Sequence, residues 1–114
     1  MTTFFVPGVP RPKARPRVVA GHAYTPRRTR DWEQLVRACY VGPRHEGPLR
    51  VLMSFLMPTR RRVDLDNLCK AVMDALNGKA WSDDGQVFDL AALKVLGVDP
   101  GTEGVEVTIE EVLT

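Results

Sequence analysis

The chain has 114 residues, a hydrophobic fraction of 44% and a formal net charge of +2, which predicts one globular domain rather than a disordered chain. A membrane-spanning helix needs about 18 consecutive apolar residues, and no apolar run in the sequence is that long. The first residues do not resemble a signal peptide. Cys39 and Cys69 lack disulfide-framework or metal-ligand spacing, so we expect two buried, reduced thiols and a cytoplasmic protein.

The charges are divided unevenly along the chain. Residues 1–63 contain 13 Lys and Arg against three acids, whereas residues 64–114 contain three lysines against 11 acids. This division is compatible with a polyanion-binding surface beside a cation-binding site. It is equally compatible with charges that mix on folding and serve only solubility.

The N-terminal half predicts a strand, a basic arm, a hairpin and a helix. Residues 2–6 are typical of a short strand, and residues 7–17 form an extended, proline-rich basic arm that cannot be an interior strand or a helix. Residues 18–25 predict a hairpin that turns near Gly21. A helix then starts at Thr25-Pro26, with Thr25 as the capping hydroxyl, and presents an apolar face from Trp32 to Tyr40.

The C-terminal half predicts a mixed sheet with a second helix. Residues 48–58 are nearly continuous in apolar side chains, which is typical of a strand covered on both faces. Residues 66–77 predict a helix, residues 86–96 fit either a strand or a helix, and residues 104–112 alternate as a strand with one wet face. The element order therefore predicts an α/β (α+β) fold: a single domain over residues 1–114, with one mixed sheet and two main helices.

Acidic residues surround the second predicted helix. Asp64 and Asp66 stand at its start, and Asp66, Lys70 and Asp74 follow at i, i+4 and i+8 on one face. A further adjacent pair, Asp83-Asp84, lies five and six residues after the glycine that ends the helix, and the intervening turn can bring it back towards the others.

Two interpretations of this cluster compete. An aspartate at a helix start caps free N–H groups, which accounts for one of Asp64 and Asp66 but not for both. Converging carboxylates instead repel one another unless a cation binds, and oxygen ligands suit Mg²⁺. Such a site favours metal-dependent phosphodiester hydrolysis, with Lys70 placing a positive charge on a phosphate oxygen.

The basic residues nearby fit the same chemistry. Three arginines immediately precede the acidic cluster and are placed to hold flanking phosphates, and the N-terminal arm is expected to contact the DNA backbone rather than to be merely solvated. These predicted DNA-binding residues are Arg60, Arg61 and Arg62 together with Arg11, Lys13, Arg15 and Arg17.

The motif "DLDNLCKAVMDALNG", followed by "WSDDGQV", resembles the RusA family of Holliday junction resolvases. The resemblance is strong over residues 58–90 and looser through the N-terminal arm. It implies a homodimeric α/β endodeoxyribonuclease that binds four-way DNA junctions and introduces paired nicks with Mg²⁺ or Mn²⁺, in DNA recombination and repair.

The resemblance also implies roles for individual residues. The catalytic and metal-binding aspartates of the family fall on Asp64, Asp66 and Asp84, and its essential lysine falls on Lys70. Supporting roles are expected for Asn67, Asp74, Asp83 and Gln86, with Asp74 pairing with Lys70 and Asp83 serving the turn.

A four-way junction offers two equivalent strands, whereas this chain carries one acidic cluster. Two copies about a two-fold axis would supply two sites, so we expect a homodimer. Two other functions stay open: a branched-DNA-binding protein with little or no cleavage, and a nuclease that acts on forks or flaps.

Overall fold

The computed structural model describes residues 1–14, 17–60 and 62–112, without the side chain of Arg17. The strands are β1 (Thr2–Pro7), β2 (Arg17–Val19), β3 (His22–Tyr24), β4 (Leu49–Met57), β5 (Val87–Leu96) and β6 (Gly104–Glu111). The helices are α1 (Arg27–Cys39) and α2 (Leu65–Leu76), and a single 3₁₀ turn covers Asp84–Gln86. No helix in these described ranges is long and apolar enough to cross a membrane.

Four strands form one mixed sheet in the order β1-β6-β4-β5. β6 lies antiparallel to both β1 and β4, whereas β5 lies parallel to β4. Parallel neighbours require a crossover, and α2 provides it between β4 and β5. The predicted mixed sheet with two helices is therefore confirmed, and the ambiguous segment 86–96 is a strand.

The core lies between one face of the sheet and the two helices. Leu49, Val51, Met53, Phe55 and Met57 of β4 are all at most 1% exposed, and they pack with the apolar faces of α1 and α2. The molecule measures 44 × 40 × 21 Å, so its thinnest dimension holds only the sheet and one helix layer.

The prediction that β4 is covered on both faces is wrong. Its side chains alternate between buried and more exposed, and Leu52 is 40% exposed. A continuous apolar sequence indicated two covered faces, but both helices pack on the same side of the sheet. The opposite face of β4 therefore keeps apolar side chains without a second layer.

The ends of the two helices are joined by reciprocal hydrogen bonds. The guanidinium of Arg37 donates to the carbonyl oxygens of Ala75 and Asn77 at the end of α2, at 3.1 and 3.2 Å. Lys79, just after α2, donates to the carbonyl of Arg37 near the end of α1. Cations near a helix C-terminus satisfy its free carbonyls and favour its dipole, so each helix stabilises the end of the other.

The start of α1 differs from the expectation. Pro26 takes the N-cap position with an extended backbone, and no side chain caps the helix, so the predicted Thr25 cap is wrong. The 18–25 hairpin is confirmed as β2 and β3, which turn through Ala20 and Gly21 in left-handed conformations.

The N-terminal arm is fixed to both helices through Lys13. Its backbone N–H donates to the carbonyl of Asn67 at 2.9 Å, and its ammonium lies 2.7 Å from Glu33 of α1 and 3.1 Å from Asp74 of α2. Burial alone would lower the pKa of Lys13, but the hydrogen bonds and charges of Glu33 and Asp74 outweigh it and raise the pKa. Lys13 therefore bridges two carboxylates on neighbouring helices.

We predict that Lys13→Met lowers the free energy of unfolding by roughly 1–3 kcal/mol, because it leaves two partly buried carboxylates without their cation. The raised pKa makes the contribution of Lys13 complete below the unfolded-state pKa of about 10.4 and removes it as pH rises through the folded-state pKa. Urea unfolding of both proteins should show a constant difference from pH 7 to pH 9 that narrows at higher pH. Equal stability at pH 7 would refute the bridge.

Candidate active site

Asp64 and Asp66 stand at the start of α2 without being used as caps. Asp64 occupies the N-cap position, yet its side chain makes no capping hydrogen bond and instead accepts a long, 3.5 Å hydrogen bond from the amide of Asn67. Asp66, in the first turn, is exposed. The capping interpretation therefore accounts for neither carboxylate, which leaves both available to a ligand.

The loop before α2 is held by a cation from β5. The ammonium of Lys94 donates to the carbonyl oxygen of Val63 at 2.6 Å. Val63 immediately precedes Asp64, so this hydrogen bond ties the start of α2 to the outer strand of the sheet.

The turn after α2 is built around a capping box. The side chain of Asp83 accepts a hydrogen bond from the N–H of Gly85, and the side-chain oxygen of Gln86 accepts from the N–H groups of Ser82 and Asp83. The amide nitrogen of Gln86 donates at 3.1 Å to the carbonyls of His45 and Gly47. Asp83 is thus a turn residue, as expected, and Gln86 joins the turn to the loop before β4.

Asp84 is oriented by the core. Trp81 is fully buried, and its indole N–H donates to one carboxylate oxygen of Asp84 at 2.8 Å. Asp84 itself is half-buried. A donor on a side chain that has no room to rotate fixes the carboxylate and leaves its second oxygen for another partner.

One cavity of about 600 Å³ brings the main candidates together between α2 and β5. Its polar lining consists of Asp66, Lys70 and Asp74 from α2 and Asp84 from the following turn. Its apolar wall comprises Leu65, Cys69 and Met73 from α2 together with Leu90 and Ala92 from β5. As predicted, the structure therefore brings Asp84, from the turn after α2, back towards Asp66 and Lys70 of the helix.

Two of the expected site residues, Asp64 and Asp74, differ from their predicted positions or contacts. Asp64 does not line the cavity, and its role as a metal ligand stays a prediction. Asp74 forms its ion pair with Lys13 of the arm rather than with Lys70, so the expected Asp74–Lys70 pair is not the one observed. The arm brings Lys13 to Asp74, a tertiary contact that helical spacing does not reveal. Lys70 instead lines the cavity.

Comparison with models of protein families shows which family the chain belongs to. The model of the family described as "Endodeoxyribonuclease RusA" matches residues 7–110. The chain belongs to the RusA endodeoxyribonuclease family. The match includes the arm, both helices and all four residues Asp64, Asp66, Lys70 and Asp84, so the resemblance seen in the sequence is confirmed.

Three curated relatives illustrate this membership. The crossover junction endodeoxyribonucleases RusA of Escherichia coli K12 and of Enterobacteria phage 82 are each 45% identical over 67 residues, which is 56% of this chain and 52% of each relative. The enzyme of Enterobacteria phage HK97 is 28% identical over 80 residues, 69% of this chain and 67% of the relative. The chain thus spans about half the length of the first two relatives.

The donor set of this RusA-family cavity fits a hard divalent cation. Asp66 and Asp84 offer carboxylate oxygens on one cavity, and Mg²⁺ is commonly held by one or two carboxylates with water completing the shell. Within the described ranges, no three His, Cys, Asp or Glu side chains lie close enough together to form a metal site. The arrangement therefore suits a water-rich site on two carboxylates rather than a closed protein cage.

Burial and charge also act on the thiol in this cavity. Burial, with the nearby charge of Asp66, raises the pKa of Cys69. The thiol therefore stays protonated and is not a nucleophile at neutral pH. Both cysteines are free, as expected, but only Cys69 is buried, whereas Cys39 is partly exposed.

The predicted DNA-binding cations are only partly described. Arg60 and Arg62 are exposed immediately before α2, and Arg11 of the arm lines a second cavity, of about 300 Å³, with Arg28 of α1. Arg15 and Arg61 lie outside the described residues, and Arg17 is described only as backbone in β2. Lys13 forms ion pairs with Glu33 and Asp74. Of the predicted DNA-binding residues, it therefore anchors the arm to the two helices.

Sequence reasoning did not identify Trp81 and Lys94 as positioning residues. Trp81 stands three residues before Asp84, a separation that suits a contact across a tight turn, but spacing alone does not give the direction of its indole ring. Lys94 had no local signal at all, because its partner is a backbone carbonyl 31 residues earlier in the chain.

We predict that Trp81→Phe lowers the rate of any DNA cleavage at this cavity by about tenfold, because Asp84 loses the donor that orients it, an effect of about 1–1.5 kcal/mol. Substrate affinity should stay within twofold. Single-turnover cleavage and equilibrium DNA binding measure the two effects separately.

Trp32→Phe is a matched control. Trp32 is also buried, but its indole N–H has no hydrogen-bond partner in the described structure. Its replacement should leave the cleavage rate unchanged. Equal losses in both variants would show that aromatic packing, not the Asp84 contact, determines the rate.

Proposed function

We propose that this protein is a structure-selective endodeoxyribonuclease that resolves four-way DNA junctions by divalent-metal-dependent hydrolysis, giving paired nicks. The observation that supports this most strongly is the cavity in which Asp66, Lys70 and Asp84 meet, in a chain of the RusA family. Its curated relatives are named crossover junction endodeoxyribonucleases. We place its work in the cytoplasm of a bacterial host, in DNA recombination and repair.

Asp66 and Asp84 are the proposed holders of Mg²⁺, for which Mn²⁺ would substitute, with Asp64 as a further candidate from the start of α2. When bound, a divalent cation supplies a nucleophile at neutral pH and offsets the negative charge that builds on the phosphate. The indole of Trp81 keeps one oxygen of Asp84 in place. The exposed position of Asp66 lets its carboxylate reach both solvent and DNA.

Lys70 is the proposed cation for the reacting phosphate. It lies one helical turn after Asp66 on α2 and lines the same cavity. Because Asp74, one turn further on, is neutralised by Lys13, Lys70 is not drawn away from the cavity by that carboxylate. In this proposal its ammonium stabilises charge on a non-bridging or leaving oxygen.

The basic residues before α2 are the proposed guides for the DNA strand. Arg60 and Arg62 are exposed just ahead of the two aspartates, where they can contact phosphates that flank the scissile bond. Arg61, and Arg11, Arg15 and Arg17 of the arm, remain proposed contacts. Lys13 acts indirectly, because it holds the arm against α1 and α2.

Cleavage of a synthetic four-way junction beside a linear duplex of the same sequence tests this proposal. With Mg²⁺ we expect paired, symmetric nicks in the junction and little cutting of the duplex. Fork and flap substrates belong in the same experiment, since preferential cutting of those would favour the alternative nuclease. Binding of junctions without cutting under any divalent ion would favour the DNA-binding alternative.

We predict that Asp66→Asn lowers junction cleavage by at least about 100-fold, because the cavity loses one of its two free carboxylates. Junction affinity and the free energy of unfolding should change little, since Asp66 is exposed and makes no capping hydrogen bond. Asp99→Asn, at an exposed position between β5 and β6, is the matched control and should leave cleavage unchanged. Loss of folding in Asp66→Asn would show that the carboxylate is structural.

A further inference from the structure

The hairpin of β2 and β3 stands apart from the rest of the fold. Its two strands form a sheet of their own, separate from the four-stranded sheet. Every residue from 18 to 24 is exposed, and none of them belongs to the core. An isolated two-stranded hairpin is only marginally stable in water, and this one gains little from packing against the chain that carries it.

The hairpin carries apolar side chains on both of its faces. Val18 is 69% exposed, Val19 60% and Tyr24 44%. Val18 pairs with Ala23 and Val19 with His22, and successive side chains of a strand point to opposite faces. Val19 and Tyr24 therefore share one face, and Val18 and Ala23 share the other. A hairpin that covers one surface needs one apolar face, whereas two apolar faces suit insertion between two apolar surfaces.

The chain around the hairpin is entirely basic. Residues 7–30 contain seven Lys and Arg and no Asp or Glu. Arg28 and Arg30 follow the hairpin and are exposed. The partner that fits two apolar faces between two runs of cations has a high density of negative charge together with flat apolar surfaces. Phosphates and base pairs provide this combination, so the charges favour nucleic acid.

Both ends of the hairpin are fixed beside the candidate active site. Before the hairpin, the backbone N–H of Lys13 donates to the carbonyl of Asn67, the residue that follows Asp66. Four residues of extended chain span at most about 14 Å, so the hairpin begins within that distance of Lys13. After the hairpin, the hydroxyl of Thr29 in α1 donates to the carbonyl of Pro12 at 3.4 Å, which ties α1 to the same part of the arm.

We propose that this hairpin is a wedge that enters the branch point of a DNA junction, with its apolar side chains against the exposed faces of base pairs. This inference rests on the proposed function, because it names the part of the chain that distinguishes a junction from a duplex. An apolar wedge that enters a continuous duplex must first separate stacked base pairs, which costs free energy. Stacking is already interrupted where the arms of a junction meet, so the wedge binds there at a lower cost.

The triple variant Val18→Ser/Val19→Ser/Tyr24→Ser tests the wedge without changing the charge of the chain. We expect at least about tenfold weaker binding to a synthetic four-way junction, and binding to a linear duplex of the same sequence within about twofold, because the phosphate contacts are retained. Fluorescence anisotropy without divalent ions measures both affinities in the absence of cleavage.

Val41→Ser is the matched control. Val41 is 84% exposed and lies at the opposite end of α1 from the hairpin. Its replacement also removes an exposed apolar side chain without changing charge. Both affinities should therefore stay at those of the unmodified chain.

A base analogue reports insertion directly. The fluorescence of 2-aminopurine changes when its stacking changes, so the analogue is placed in a base pair beside the branch point. We expect the unmodified chain and Val41→Ser to change this fluorescence, and the triple variant to leave it at the level of free DNA. An equal change with all three proteins would contradict insertion of the hairpin.

Three further results would overturn the wedge. They are an unmodified chain that binds junction and duplex equally well, a triple variant that loses no junction affinity, and a triple variant that loses junction and duplex affinity to the same extent. If the triple variant does not fold, hydrogen exchange of the unmodified chain decides. Junction DNA should then protect the amides of residues 18–24 more than duplex DNA does, and equal protection refutes the wedge.

Cleavage with Mg²⁺ separates this inference from the proposed function. If the unmodified chain makes paired nicks in the junction and the triple variant keeps its selectivity for junctions, the wedge is wrong and the proposed function stands. If the triple variant loses that selectivity but the unmodified chain cuts no junction under any divalent ion, the proposed function is wrong and the wedge stands.

Discussion

The site depends on the parallel pairing of β4 with β5. Parallel neighbours need a crossover, and here the crossover is α2 itself, so one short unit places Asp66 at the start of a helix and Asp84 at the turn after it. Helix, turn and outer strand then enclose one cavity. The buried β4 face fixes the register of this unit, because a slip by one residue would expose its core side chains.

One ion pair beside α2 distinguishes the carboxylates of the cavity from one another. Three carboxylates and one lysine line it, and Lys13 from the arm pairs with the carboxylate that lies farthest along the helix, Asp74. Asp74 is therefore part of a structural ion pair, which sets it apart from the carboxylates of Asp66 and Asp84. The basic arm thus contributes to the candidate active site through folding, and its contacts with DNA are a separate proposal.

Sequence patterns predicted what depends on local spacing. The helix over 66–77 is observed one residue earlier, the hairpin turns where its glycine indicated, and Asp66 and Lys70 of the D-x-D-N-L-x-K motif line the cavity. Contacts between distant segments were not predictable in this way: the single cover on β4, the Lys13–Asp74 pair and the Lys94 anchor all depend on which elements pack together. The Trp81–Asp84 hydrogen bond was predictable only in part. Its sequence spacing is local, but the direction of the indole N–H depends on how Trp81 is buried.

The central claim is that Asp66 and Asp84, held on either side of one crossover, share a single divalent cation. Anomalous diffraction from crystals grown with Mn²⁺ tests it directly, with Asp84→Asn crystals as the control. The account predicts a manganese peak within coordination distance of both carboxylates, weakened or lost in the variant. A peak bound elsewhere, or one that is unchanged in Asp84→Asn, would contradict it.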